Sequence, residues 1–363
     1  MRRVGGLFES VCSFPALHAA ARLAARGKKR SLSVARFLWN LEEELFTLES
    51  ELRAGAWKPG QPHRFLIRDP KERVITAAPF RDRVVHHALC AAIGPVLERG
   101  AIDHSYACRV GKGTHAAVEQ CRRLAGRWSF FLKSDIHRFF ATVDHGVLKT
   151  RLRRVLKDRH VLGLCDTIVD AGAGSDQISH GGCLFVEPAA LGPPTSRQRA
   201  CGLPIGNLTS QHFANFYLCG FDHFVLEQLR PGGYLRYMDD FILFDDDRGR
   251  LKGMLGDVRR HLAGELSLDL NQAATLLTRT VVGIPFLGLR TFPRLVRVRR
   301  RKAQRFSRML RRRLKESHDG QVEELRLQSS LGALVAHVEA WSPPGFRRRV
   351  LASFRAGTKE DRG

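Results

Sequence analysis

At 363 residues with 44% hydrophobic content, the chain is long enough for a large core or for two or three packed subdomains, which excludes a disordered tail. Its 60 Lys+Arg against 36 Asp+Glu leave a formal charge of +24. A folded chain with that much self-repulsion calls for a polyanion: nucleic acid first, an anionic membrane surface second, with a merely Arg-rich composition as the plain alternative.

Residues 1–60 read as helical, with Val34, Phe37, Leu38, Leu41, Leu45 and Leu48 at helical spacing and Pro59 and Pro62 closing the segment. Phe65-Leu66-Ile67 and Val74-Ile75-Thr76 are short β-type runs around a basic turn, which predicts a hairpin. A helix follows from about Asp82 to Leu97. Gly111-Lys112-Gly113-Thr114 lacks P-loop spacing and reads as a turn opening another helix. Trp128 to Leu132 is an apolar strand ending in Lys133-Ser134-Asp135, and a helix-rich stretch leads on to about Ala171. Residues 172–202, rich in Gly, Pro and Ser, read as a loop or small insertion. Leu208 to Leu229 reads as one helix. Tyr234–Tyr237 and Phe241–Phe244 are strands flanking Met238-Asp239-Asp240, and a further helix runs to about Leu262. Residues 280–298 alternate β-type runs with turns, and Arg299 to Arg355 is helical and strongly basic.

The eight cysteines form no CxxC pair and no zinc-like grouping with the histidines, so a reducing, cytoplasmic setting is expected. His86, His87 and His115 have no metal-like partners and read as structural or surface residues. No stretch is apolar enough to span a bilayer, and Met1-Arg2-Arg3 does not open a signal peptide, so no membrane partner is expected.

Adjacent aspartates at a hairpin tip repel each other and favour a cation, and hard divalent cations take oxygen ligands. Asp239 and Asp240 sit at such a tip, and Asp135 ends another apolar strand. Neighbouring central strands would bring all three together, the arrangement two-metal nucleotidyl transfer needs. A solvated acidic turn is the alternative, and Asp245-Asp246-Asp247 is read that way.

Tyr237-Met238-Asp239-Asp240, together with Asp135 and the following Phe139-Phe140, resembles the reverse transcriptase family. The likeness extends from about residue 35 to 350. The stretch Leu203-Pro204-Ile205-Gly206-Asn207-Leu208-Thr209-Ser210-Gln211 is most similar to reverse transcriptases of diversity-generating retroelements: Ile205 stands where most members have glutamine, and Gln211 where they have proline. Some related bacterial lineages share these replacements.

The resemblance implies an α+β right-hand polymerase: an N-terminal helical segment at 1–60, fingers at 61–130, a palm with an antiparallel sheet at 131–290 carrying a 151–202 insertion, and a basic helical thumb at 291–363. It implies two Mg²⁺ ions, replaceable by Mn²⁺, on Asp135 and Asp239 with Asp240 assisting, and with Ile136 among the metal contacts. Phe140 takes the steric-gate position that rejects a ribose 2′-hydroxyl. Lys71 and Arg73 face the triphosphate, and Ile205 and Gly206 line the nucleotide pocket. Ser210, Gln211, Tyr237, Met238, Phe286, Leu287 and Gly288 contact template or primer, the last three in a primer-grip hairpin. Arg300, Arg301, Arg305 and Arg308 track the duplex backbone. The implied partners are template RNA, the cDNA–primer duplex, dNTPs and a basic accessory variability protein. The implied activity is RNA-directed DNA synthesis with misincorporation opposite template adenine. The alternatives are a retron or phage-defence reverse transcriptase, or an inactive RNA-binding scaffold. One departure is marked: the lysine that family members carry just after Leu268-Asp269-Leu270-Asn271 is missing, the chain reading Gln272-Ala273-Ala274-Thr275.

Overall fold

The fold is described from a computed structural model, which covers residues 2–28, 31–68, 72–174 and 199–299, and beyond them the helical residues 304, 305, 308, 309, 312 and 316. The expected helical 1–60 region comprises α1 (Glu9–Cys12), α2 (Phe14–Ala24), α3 (Leu32–Trp39) and α4 (Leu41–Arg53). The hairpin follows as β1 (His63–Ile67) and β2 (Arg73–Ala77), then α5 (Phe80–Glu98), α6 (Thr114–Arg127), β3 (Phe130–Asp135), α7 (Phe139–Thr142), α8 (His145–Val155) and α9 (Arg159–Asp170). After these come α10 (Leu208–Tyr217), α11 (Cys219–His223), β4 (Gly233–Tyr237), β5 (Asp240–Asp245), α12 (Arg248–Leu266), β6 (Leu276–Arg279), β7 (Ile284–Phe286), β8 (Leu289–Thr291) and β9 (Val296–Val298). The α+β expectation holds: helices combine with sheets whose assigned strand pairs are antiparallel.

The chain forms two units. The first holds Met1–Cys108, Asp135–Arg230 and Gly256–Ala273. Here α5 is the central rod, with α2 and α10 packed on it. Its Val84, Val85, Leu89 and Ile93 are fully buried, as a helix apolar nearly all round must be. The paired strands β1 and β2 belong to this unit, in the register Ile67–Arg73 to His63–Ala77. Asp158 ties the N-terminal segment down. One carboxylate oxygen accepts the Leu7 and Phe8 amides, both at 3.1 Å, while the other caps the start of α9 at His160 and Val161.

The second unit holds Arg109–Ser134, Pro231–Leu255 and the chain from Ala274 on. Its four-stranded sheet has the order β4-β5-β3-β6, and a separate sheet joins β7, β8 and β9. Tyr234, Leu235, Phe241, Ile242, Leu243 and Phe244 make β4 and β5 almost wholly buried, which explains their largely apolar character. Gly113, at φ 111°, precedes α6, so the glycine-rich stretch is the expected helix-opening turn.

Two expectations need correction. Leu208–Leu229 is not one helix: α10 ends at Tyr217, α11 is a short piece, and Phe224–Leu229 widens into a π turn. The cause is tertiary, because Cys219 Sγ and the His223 ring both bond the Gly100 carbonyl, at 2.7 and 2.9 Å. Of Asp245-Asp246-Asp247, read as a solvated turn, Asp246 and Asp247 are exposed as expected, and only Asp245 departs from that reading. Asp245 is buried, accepts the Gly232 and Asp247 amides and pairs with Arg250. Asp246 accepts the Ser129 amide and hydroxyl, and Asp247 caps α12 at Gly249 and Arg250. Most of the basic segment from Arg299 on, and most of the 172–202 stretch, lie outside the described residues.

Candidate functional site

The β4–β5 hairpin pairs Tyr237 with Asp240, so its loop is two residues, Met238 and Asp239. Asp240, which the sequence reading placed in the turn, is instead the first residue of β5. Met238 has φ 58°, a left-handed conformation costing an L side chain roughly 1–2 kcal/mol. Arg236 braces it: this side chain, 1% exposed, donates to the Met238 carbonyl at 2.9 Å. Tyr237 adds a hydroxyl bond to Thr114 at 3.2 Å. At the far end of β4, a Cβ on Gly232 would lie 2.6 Å from the Trp128 ring, so only glycine lets the strand seat there. Asp240 forms an ion pair with Lys133 of β3, whose side chain is 11% exposed against 23% for Asp240.

Asp135, half-buried, is the last residue of β3 and lies in the first unit. Its carbonyl accepts the Asn271 amide at 2.8 Å, and the His137 amide donates to the Asp269 carbonyl at 2.8 Å. Ile136, 1% exposed, bridges to Leu270. The stretch where the lysine is missing is a 3₁₀ turn at Gln272–Ala274, and Thr275 then shares a hydroxyl bond with Ser134 at 2.8 Å. Phe140, on α7, meets Phe139 edge-on at 5.6 Å, and its carbonyl accepts the Leu203 amide at 2.6 Å. Phe139 is buried, while Phe140 keeps part of its surface open.

The 203–211 stretch lies along β2. The Ile205 carbonyl accepts the Thr76 amide at 2.9 Å, and Asn207 Oδ1 accepts the Ala78 amide at 3.3 Å. Gly206 between them has φ 117°, and a Cβ there would stand 3.0 Å from Ile75 Cγ2. Ile205 is half-buried and Gly206 exposed, so this short stretch is fixed at the backbone while its surface stays open. Ser210 is 2% exposed, and Gln211 accepts from the Cys108 thiol at 3.4 Å. Arg73 is exposed at the start of β2. In the second unit, Phe286 pairs with Leu289 across a loop of Leu287 and Gly288, at φ 48° and 79°. Positive φ at both positions is the pattern of a tight hairpin turn. Arg305 and Arg308 are helical; Lys71, Arg300 and Arg301 lie outside the described residues.

Among the described residues no three His, Cys, Asp or Glu side chains are grouped as a metal would need. The donor chemistry nevertheless suits a hard divalent ion: Asp239 and Asp240 supply carboxylate oxygens on adjacent residues, and Mg²⁺ keeps several ligand positions for water and substrate phosphate. Sequence reasoning missed Lys133, Arg236 and Asn207. The available signal was a single charged residue inside each of two apolar runs, Phe-Phe-Leu-Lys-Ser-Asp and Gly-Tyr-Leu-Arg-Tyr.

Protein YkfC of Escherichia coli (strain K12) is 26% identical over 302 residues, covering 72% of this chain and 73% of that protein. The group II intron-encoded protein LtrA of Lactococcus lactis subsp. cremoris is 24% identical over 189 residues. That match covers 51% of this chain but only 29% of LtrA, so most of LtrA lies outside it. The relationship supports the reverse transcriptase resemblance at family level and does not extend to the diversity-generating subtype. A telomerase from Candida albicans, solved with a fragment of telomeric RNA, aligns with TM-score 0.46 at 14% identity, over 84% of this chain and 55% of that one. No family model matches. Among the described residues no helix is long and apolar enough to cross a membrane.

Proposed function

We propose that the chain is an RNA-directed DNA polymerase that copies a template RNA by two-metal nucleotidyl transfer. The observation that carries this is the tight β4–β5 hairpin, with Asp239 in its two-residue loop and Asp240 opening the next strand. Sequence similarity to an intron-encoded protein supports it independently. On this reading Asp135, Asp239 and Asp240 hold the ions, and the fingers, palm and thumb of a right-hand polymerase are distributed along the chain as the resemblance implies. Bound Mg²⁺ would lower the pKa of the primer 3′-hydroxyl and offset charge on the triphosphate.

The chain's own residues then do the positioning. Arg236 fixes the carbonyl of Met238 and with it the loop that presents Asp239. Phe140, held through its carbonyl by Leu203, offers the partly open ring that discriminates against a 2′-hydroxyl. Arg73 is free of secondary-structure burial and can clamp phosphate oxygens bidentately.

The finer assignment is to the diversity-generating type, with errors opposite template adenine. Ile205 supports it: an apolar side chain stands on a backbone fixed to β2, beside a glycine whose missing Cβ lets the stretch lie close against Ile75. Without an amide at this position, the nucleotide loses a directional contact and base discrimination weakens. The intron-encoded relative favours a second reading, an intron-associated reverse transcriptase.

Primer extension on poly-rA/oligo-dT tests the activity, with Asp239→Ala/Asp240→Ala as control. Incorporation abolished by the double substitution is expected; incorporation indifferent to it would sink the polymerase. Product sequencing separates the subtypes: adenine-directed errors that fall in Ile205→Gln favour the diversity-generating reading. Uniform low error with intron-RNA binding favours the second.

A further inference from the structure

Lys133 has no role in the mechanism above, yet it is one of the most enclosed cations in the second unit, at 9% exposure. It stands on β3, next to β5 in the sheet order, and its ammonium pairs directly with the Asp240 carboxylate. Strand alternation places residues i and i+2 on one face, so Lys133 shares its face of β3 with Asp135. A lysine is rarely enclosed without a purpose that repays its desolvation. Here the chain has put a fixed positive charge beside the carboxylates proposed to attract metal ions.

We propose that Lys133 is a positioning residue that serves as a resident counter-cation for Asp240, so that Asp239 is the principal metal ligand of the hairpin. The inference rests on the metal-holding role given above to Asp239 and Asp240. Its physical basis is charge. Two adjacent carboxylates repel each other when no divalent ion is present, and an ammonium on one relieves that repulsion without a metal. The same ammonium opposes a divalent cation approaching Asp240. It thereby biases the ion toward Asp239 and keeps the hairpin ordered before substrate arrives.

The test is Mn²⁺ binding to the full chain, read from the electron paramagnetic resonance signal of free Mn²⁺, alongside the Mg²⁺ dependence of incorporation. Lys133→Met should tighten Mn²⁺ binding by roughly tenfold, since it removes an opposing charge and releases the Asp240 carboxylate to join Asp239 on the ion. Lys133→Arg keeps the charge and should bind Mn²⁺ as the parent does; Lys133→Gln, which also removes the charge, stands in if Lys133→Met does not fold, with the same tightening expected. In an Asp240→Asn background, Lys133→Met should tighten binding by clearly less, because no carboxylate is released there and only the opposing charge is lost. An equal shift in both backgrounds, or none in either, overturns the proposal. Failure of the underlying metal reading looks different: Asp239→Asn would then bind Mn²⁺ as tightly as the parent, and the counter-cation role would fall with it.

Discussion

Arg236 donates its guanidinium to the carbonyl of Met238, two residues along the same hairpin, and is itself almost wholly buried. A buried cation on the edge strand of its sheet thus holds the one residue of the proposed metal-binding loop that adopts a left-handed backbone. Strain at such a position persists only where the surroundings enforce it.

Arg236→Leu should therefore destabilise the fold by about 2 kcal/mol, the scale of a hydrogen bond to a charged group. It should also lower incorporation by more than the loss of folded protein explains. Urea unfolding and primer extension on the same preparation separate the two effects. Equal, proportionate losses would reduce Arg236 to a packing residue.

Gly206→Ala should cost about 1–2 kcal/mol, because φ 117° is strained for alanine and its Cβ would meet Ile75 Cγ2 at 3.0 Å. Adding Ile75→Ala should recover the steric part only. Under the proposed function, the KM for dNTP should rise in the single variant and fall back partway in the double one. Complete recovery in the double variant would show that backbone strain contributes little.

Burial holds His86 neutral and pushes its pKa down to about 4, with His87 and Arg83 adding to the effect. It lines a cavity of about 50 Å³ shared with Asp82, Thr76, Asn207 and Ser210. Its folded pKa lies below the unfolded value of 6.5, so the unfolded chain takes the proton first. Above pH 6.5 this group leaves stability flat. Between 6.5 and about 4 it should remove up to about 3 kcal/mol. Denaturation at pH 7, 5.5 and 4.5 should show that slope, and His86→Asn should flatten it relative to the parent. Parallel curves would rule His86 out as the source.

Asp247→Ala should lose about 1 kcal/mol, the usual cost of an N-cap, while Asp247→Asn should be close to neutral. Chemical denaturation checks both. Equal losses would mean the charge matters and not the cap geometry at Gly249 and Arg250.

Much of this was legible in the sequence. The β1–β2 and β4–β5 hairpins were, because short apolar runs on either side of a polar interruption leave little choice of pairing. The opening of α6 was also legible, since glycines cannot continue a helix cheaply. The break at Leu218 was not: the local pattern from Leu208 to Leu229 is continuous, and what interrupts it is the Gly100 carbonyl, 119 residues from Cys219. Lys133 and Arg236 escaped for a related reason. A charged residue in an apolar strand acquires its meaning only from the strand beside it, and that register is a tertiary fact. Likewise, three consecutive aspartates look alike until Ser129, Arg250 and the start of α12 give each a different partner.

The double duty of Asp158 bears on synthesis. Leu7 and Phe8 leave the ribosome about 150 residues ahead of the carboxylate that receives their amides. At ordinary elongation speeds that is a wait on the order of ten seconds. During it, the helices that open the chain lack the tether that docks them. They are therefore a window in which a co-translational chaperone, or a neighbouring nascent chain, could compete for their apolar faces.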